Sequence, residues 1–453
     1  MSVVTVQLGQ CGNQIGANLF SFIHKDACQQ PRFTSSNSKE NTIYQQEAIN
    51  TFFTPLKNGI FEAKAVLVDM ESKVIQQTKN TVNNSGLWKY PSTSEYYQQQ
   101  GSGNNWALGY HKNGQLACQS VIEICRQEVE KCDRFSGFLL LMSLAGGTGS
   151  GLGARISNTL KDEFPESTIV SHVVWPFPSG EVVLQNYNAV LTLSHLQQSS
   201  DIIIGQQNKL LQQTCTALGI KNVSMDAINS VASYNLASIF QPSDKSSNQS
   251  LDILQGLDQT MSLHPAFKLV CIKNVPLVND KSMDYTTYHW PALLKRLRQI
   301  LISDSACENC IDWELATSRN SFNDNAQYND RYVTQSSFNK SLTNLLILRG
   351  KDLHTADTSI LQDKSLYSTT LPYAFVYNQW TQCRVFNNYE KSATLVSNSQ
   401  TFNQPLNDCI QKAWQMFNTG AFVHQYEKYG LTENDFIDSF AVAEQIYADY
   451  CMI

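Results

Sequence analysis

Ala145-Gly146-Gly147-Thr148-Gly149-Ser150-Gly151 follows an apolar run, Phe138 to Met142, and precedes an amphipathic segment, Leu152 to Phe164. The order reads as a strand, a glycine-rich turn and a helix. Four glycines in seven residues let the backbone take positive φ and come within contact distance of a ligand. The helix start behind them offers unpaired N–H groups and a positive dipole end. Such a loop binds an anion, phosphate above all, although a glycine-rich turn without a ligand uses the same residues.

Working outward, the same pattern repeats. Val3 to Leu8 reads as a strand, Gly9-Gln10-Cys11-Gly12 as a turn, and the following residues through Phe22 as a helix. Gln10, Cys11 and Gln14 are short polar groups placed to reach a phosphate or base from there, although a purely structural turn uses the same glycines. Ala65 to Val68 is a short buried-type strand ending in Asp69, with Glu71 two residues on; carboxylates just past a strand end suit Mg²⁺ bound with a nucleotide, or simply a solvated loop. Gly101 to Tyr110, GSGNNWALGY, is a further glycine-rich turn before a helix, Gly114 to Cys132, and its Asn104 and Asn105 donate to phosphate or cap that helix. Strand Thr168 to Val174, turn Trp175 to Gly180, helix Glu181 to Leu196 and strand Asp201 to Ile204 complete six alternations of strand and helix. That alternation predicts an α/β fold with a doubly wound, mostly parallel sheet, which binds ligands at the carboxyl ends of its strands.

The rest of the chain reads as helices Gln206 to Leu218 and Ala227 to Phe240, a polar stretch Gln241 to Asp252, then a mixed α+β region. That region holds strand Phe267 to Lys273, helix Trp290 to Ile302 opened by Pro291, strand Leu342 to Arg349 and strand Tyr373 to Tyr377. Residues 29–42 and the interval from Cys307 to Ser341 are rich in Ser and Asn and read as surface loops. Two late helices, Leu406 to Phe417 and Glu433 to Ala448, are expected to lie across the outside.

With 453 residues, 42% of them apolar and 16% charged, the chain is long enough for two or three domains with sizeable cores. A net charge of −6 without a basic cluster excludes a general nucleic-acid binder. No apolar run approaches the roughly 18 residues of a membrane span, and no leader pattern opens the chain, so no membrane role and a cytoplasmic location are expected. Twelve cysteines therefore read as reduced thiols. Cys118, Cys125 and Cys132 share a helix face as core residues, and the lone CxxC, Cys307 and Cys310, lacks the second pair that zinc requires.

Three ways of holding a nucleotide compete. A P-loop needs a lysine that no glycine loop here carries. A dinucleotide fold needs an acid at the end of the next strand, where Val174-Trp175 stands instead. What remains is a mononucleotide held by backbone N–H groups of several loops, with Mg²⁺ shared among carboxylate, water and phosphate.

GQCGNQIG at Gly9 to Gly16, SLAGGTGSGLG at Ser143 to Gly153 and GNNWALGY at Gly103 to Tyr110 together resemble the glutamine turn, glycine loop and asparagine loop of tubulins. Segment order and spacing resemble that family across nearly the whole chain. Ala145, HPAFK at His264 to Lys268 with YTTYHWPALLKRLRQILIS at Tyr285 to Ser303, and the ending YADYCMI are similar to its delta branch. The resemblance implies a GTP-binding domain over residues 1–207, a core helix and intermediate domain over 208–385, and a C-terminal helical hairpin domain over 386–453. It implies GTP/GDP and Mg²⁺ as ligands. Ser143 and the run Ala145, Gly146, Gly147, Thr148, Gly149, Ser150 and Gly151 then form the phosphate loop, Gln10, Cys11 and Gln14 the first nucleotide-binding loop, Asn104 reaches the γ-phosphate, and Asp69 and Glu71 lie near the metal. Asn208 and Asn229 read guanine, because an amide offers both donor and acceptor.

Departures from the family pattern matter as much. Met225 stands where an aromatic ring usually stacks on guanine, and a thioether still packs on a π face. In polymerising tubulins a loop after the core helix supplies an acid to the next subunit's nucleotide. Here Asp258 or the neighbouring Gln259 takes that position, so Asp258 is the candidate catalytic acid, acting on a neighbouring subunit. The acidic tail of alpha and beta tubulins has no counterpart beyond Asp449, so a partner that reads such tails by charge is expected not to read this chain. The resemblance implies a structural protein of the cytoskeleton, centriole and basal body, supporting triplet microtubules, with alpha/beta-tubulin, epsilon-tubulin and centriole components as partners. The alternative is an assembly-dependent GTPase that polymerises head to tail.

Overall fold

The computed structural model describes residues 1–29, 38–57, 59–180, 182–245, 252–283, 286, 288–315 and 338–453. Nine-residue or shorter apolar runs separated by helices build its centre. Six strands pair in parallel: β1 (Ser2–Leu8), β2 (Ala65–Val68), β3 (Glu95–Tyr96), β4 (Phe135–Ser143), β5 (Thr168–Trp175) and β6 (Ile202–Gln207). Their registers include Thr5↔Ala65, Val4↔Phe138, Phe138↔Ile169 and Val170↔Ile202. β7 (Asp244–Lys245), β8 (Leu269–Val275), β9 (Ser341–Gly350), β10 (Tyr377–Gln382) and β11 (Lys391–Ser399) extend this sheet in mixed orientation. Among the described residues the strand order is β7-β10-β9-β11-β8-β6-β5-β4-β1-β2-β3. The junction between the two halves is short: only Leu269↔Ile203 and Val270↔Ile204 pair β8 with β6.

Strands buried on both faces need cover on both faces. On one side lie α1 (Gly9–Cys28), α2 (Ser38–Phe52), α3 (Ser72–Ser85), α7 (Asn208–Ala217), α8 (Met225–Phe240) and α9 (Ile253–Met261), which share a core with Val3 and Leu67. On the other lie α4 (Gly114–Glu130), α5 (Gly153–Glu163) and α6 (Gln185–Ser199), packed on Val4, Val6 and Leu8. Helix α10 (Trp290–Ser303) covers the second half of the sheet, with Leu293, Leu297 and Leu301 in contact with β9 and β11 residues. Two outer helices, α11 (Asn403–Asn418) and α12 (Glu433–Cys451), lie over α6 through Trp414, Phe417, Phe436 and Phe440 around Tyr187. α12 starts with a capping box between Thr432 and Asp435, worth about 1 kcal/mol. Among the described residues no helix is long and apolar enough to cross a membrane.

Several boundaries differ from the sequence reading, each for a local reason. There is no separate turn at Gly9 to Gly12: α1 begins at Gly9 itself, whose φ of +70° makes the strand-to-helix corner in one residue. Of the polar stretch expected as a loop over 29–42, residues 30–37 lie outside the described residues and the rest belongs to α2 from Ser38, because Tyr44, Ala48, Ile49 and Phe52 find a core that a local window does not show. The first helix after the Trp175 turn starts at Gln185 rather than Glu181. Gln206 and Gln207 stay in β6 rather than opening a helix, and Tyr373–Phe375 is a single helical turn ahead of β10. Residues 246–251 of the polar stretch and 316–337 of the expected long excursion lie outside the described residues. Strand β11 pairs with β8 and β9 inside the sheet, although it follows the expected boundary at 385/386.

Candidate nucleotide site

The carboxyl ends of β1, β2, β4 and β5 open into one cleft of about 490 Å³, the size range of a small-molecule site. Each strand delivers its loop there. Leu8 ends β1, and Gln10, Cys11 and Gln14 follow on the first turns of α1, whose free N–H groups and dipole point into the cleft. Burial pushes the Cys11 thiol up to about 12, so it enters as a neutral group. After β2, Asp69 and Glu71 line the wall ahead of α3. Burial raises the Asp69 carboxyl to about 6, against the backbone N–H bonds that lower it. Its Oδ1 accepts from Met70 N at 2.7 Å, while Oδ2 is buried without a partner.

Gly103 and Asn104 both adopt left-handed backbone, φ +53° and +54°, which pushes Asn104 out into the cleft. Asn105 turns the other way: it is buried, and its Oδ1 accepts from Leu108 N at 3.0 Å, so it caps the next helical turn. Ser143, Ala145, Gly146, Gly147, Thr148 and Gly149 form the floor beyond β4. Thr148 Oγ1 lies 2.8 Å from Ser102 Oγ, which ties this loop to the asparagine loop. The chain then makes a wide π-type turn over Thr148–Leu152, with Leu152 N donating to Gly147 O at 3.4 Å. Ser150 and Gly151 are fully buried under the loop and do not line the cleft. A Cβ on Gly151 would stand 2.2 Å from the Trp106 carbonyl oxygen, so that residue fixes backbone packing rather than offering a contact to ligand.

At the other end of the cleft stand Asn208 at the start of α7 and Met225 and Asn229 on α8. Ser224 caps α8 through Ala227 N at 3.2 Å, which sets where Met225 begins the helix. Met225 is half exposed, Asn229 is buried, and the Oδ1 of Asn208 is buried without a partner. Leu8, Gly9, Val74, Ser102, Gly103, Val174, Pro176 and Val182 also line the cleft, and the sequence reading did not single them out as ligand contacts. Among the described lining residues the only charged groups are Asp69 and Glu71; no Lys or Arg is present. The site therefore suits a ligand held by backbone dipoles and amides, with a polyanionic part that brings its own cation.

Asp258 is not in this cleft. It is half buried on α9, facing Asp201, Lys161 and Lys268, and burial with the Asp201 charge raises its carboxyl. Asp201 precedes β6, so this group stands at the amino ends of the parallel strands. Six residues of β6 at about 3.3 Å each put it roughly 20 Å from the cleft end of the sheet.

Residues 2–216 match the model of the Tubulin/FtsZ family, GTPase domain. The chain is 44% identical to the tubulin delta chain of Canis lupus familiaris and 43% identical to that of Homo sapiens, over 100% of both chains in each case. The chain belongs to the tubulin family. Its similarity to the delta branch runs the whole length, whereas the tubulin beta-4 chain of Zea mays is 24% identical over 99% of this chain and 94% of its own. As a tubulin, the protein carries a guanine-nucleotide-binding domain, and the cleft described above lies within that domain and the first turns of α8.

Proposed function

We propose that this tubulin holds GTP or GDP with its guanine between Asn208, Met225 and Asn229 and its phosphates along the glycine and asparagine loops. The carrying observation is the pair of buried, unpartnered oxygens at opposite ends of one cleft, Asp69 Oδ2 and Asn208 Oδ1. A buried polar atom without a partner costs about 1–3 kcal/mol, and a bound nucleotide with its cation removes both deficits. Asp69 and Glu71 are the residues that fit Mg²⁺, which takes one or two carboxylates and completes its shell with water and phosphate oxygens. When bound, the ion neutralises phosphate charge that no basic residue among the described residues of the cleft offsets. Extraction of nucleotide from the purified chain tests this: guanine nucleotide is expected, and its absence together with no binding at millimolar GTP and Mg²⁺ removes the reading.

The chain would work as a structural subunit of the cytoskeleton in centrioles and basal bodies, supporting triplet microtubules, with GTP as an assembly ligand. Its expected partners are alpha/beta-tubulin, epsilon-tubulin and centriole components in the cytoplasm. Similarity along the full length to proteins named tubulin delta chain supports this role. Isolation of the native complex checks it by whether other tubulins are present.

The position of Asp258 favours a second reading, an assembly-dependent GTPase. A half-exposed carboxylate at the end of the domain opposite the cleft meets a neighbour's nucleotide only when copies stack head to tail. Phosphate release that rises steeply with protein concentration and disappears in Asp258→Ala supports it; no turnover at any concentration removes it.

A further inference from the structure

Asn188 lies on α6 with no exposed surface, behind the cleft rather than in it. Its Nδ2 donates to the carbonyl oxygens of Asn104 at 2.8 Å and Ala145 at 2.7 Å, with Gly146 O at 3.4 Å. Its Oδ1 accepts from Trp106 N at 3.2 Å and from the Tyr426 hydroxyl at 2.8 Å. The carboxamide thus uses two donors and two acceptor sites at once, and it joins the two loops that border the phosphate end of the cleft. Among side chains of this size only an amide offers that set. Aspartate would set a charge against two carbonyl oxygens, and leucine would leave the buried Trp106 N–H and Tyr426 hydroxyl without this partner and remove both carbonyl bonds. Asn104 holds a left-handed backbone, strained for a residue with a Cβ, and the Asn188 bond to its carbonyl helps keep it there.

The Tyr426 contact leads outward. Tyr426 is fully buried in the short helix Val423–Glu427 that connects α11 to α12, and its ring packs on Tyr187, the residue before Asn188. The same segment takes a second bond, from Asn105 Nδ2 to Gln425 O at 3.2 Å. The asparagine loop is therefore fastened to the C-terminal helical layer directly through Asn105 and indirectly through Asn188, each across more than 230 residues of sequence.

We propose that Asn188 is the positioning residue that sets the register of the asparagine and glycine loops, and that Tyr426 links that register to the C-terminal layer. Binding of the terminal phosphate and placement of residues 423–427 are then coupled, and the coupling acts in both directions. The inference rests on the guanine-nucleotide reading of the cleft.

The test uses the full chain, with affinities for GTP and GDP in Mg²⁺ measured by calorimetry for wild type, Tyr426→Phe and Asn188→Leu. Tyr426→Phe removes one buried oxygen and keeps the ring, so it carries the test if Asn188→Leu does not fold. Loss of one bond to the register group is expected to weaken GTP about three- to ten-fold in Tyr426→Phe while GDP changes less than about two-fold. Hydrogen exchange at residues 423–427 is expected to slow more with GTP than with GDP in wild type, and this difference disappears in Tyr426→Phe. A purely structural role predicts equal loss for both nucleotides, and that result, or an unchanged GTP/GDP ratio, overturns the coupling. Wild type that binds neither nucleotide removes the guanine reading and the proposal with it, so the two failures are distinguishable.

Discussion

Nδ2 of Asn229 donates to Oε1 of Gln14 at 3.0 Å, joining α8 to α1 across 215 residues of sequence. Both side chains line the cleft, so the bond fixes one amide against another where a base would be read. Asn229→Ala removes a donor and leaves the Gln14 oxygen unpaired. It is expected to weaken guanine-nucleotide binding about ten-fold, roughly 1.4 kcal/mol, and to narrow the preference for GTP over ATP. Competition titrations with both nucleotides read the change, and equal affinities in variant and wild type would refute it.

Gly151 does not line the cleft but packs against the Trp106 carbonyl. Gly151→Ala places a methyl group where a backbone oxygen already stands, so the glycine and asparagine loops must separate. The expected loss is about 1–3 kcal/mol of stability, with weaker nucleotide binding in the same variant. Thermal melting with and without GTP separates the two effects.

Asp26 and Arg384 form an ion pair at 3.3 Å with both side chains buried. Asp26 Oδ2 also accepts from Tyr44 Oη at 2.8 Å and Gln241 Nε2 at 3.0 Å, and the Arg384 guanidinium lies 4.2 Å over the Tyr44 ring. The cluster joins α1, α2 and the end of α8 to the loop between β10 and β11. Asp26→Asn leaves a buried guanidinium without its counter-charge and is expected to lose about 3–5 kcal/mol. A urea-unfolding midpoint close to that of wild type would contradict this.

His172 in β5 is fully buried, and burial lowers its imidazole to about 3, from 6.5. His195 is lowered to about 4, first by burial and then by His111 and Arg155, against the opposing charge of Asp435. A folded pKa below the unfolded one means that the unfolded chain binds more protons between the two values. Stability is then complete above pH 6.5 and falls as pH drops, by up to about 1.4 kcal/mol per pH unit for each histidine. Melting temperatures at pH 7 and pH 5 are expected to differ less in His172→Gln than in wild type. An equal difference would assign the acid sensitivity elsewhere.

The glycine loops at Gly9 and Gly103 were legible through positive φ, whereas the glycines of the Ala145–Gly151 loop keep negative φ and serve close backbone approach instead; these features and the switch from strand to helix period are local properties, written within a few residues. So was the alternation that predicts a parallel sheet. What the residues by themselves did not show was which groups share the cleft's far end. Asn208 and Asn229 look like ordinary helix residues until the strand order brings α7 and α8 beside Gln14. Helix α2 stayed hidden because its polar stretch gains a buried face only against α1 and the small sheet of Phe53–Pro55, Phe61–Ala63 and Trp88–Lys89. Asn188 had no signal at all: its bonds reach loops at Asn104, Trp106, Ala145 and Gly146 and a tyrosine at 426, partners set by crossovers and layer packing. Backbone preference is decided by neighbours in sequence, and the sequence alone therefore determined the loops. Side-chain partnership is decided by neighbours in space, so only the tertiary structure decided how those loops are held together.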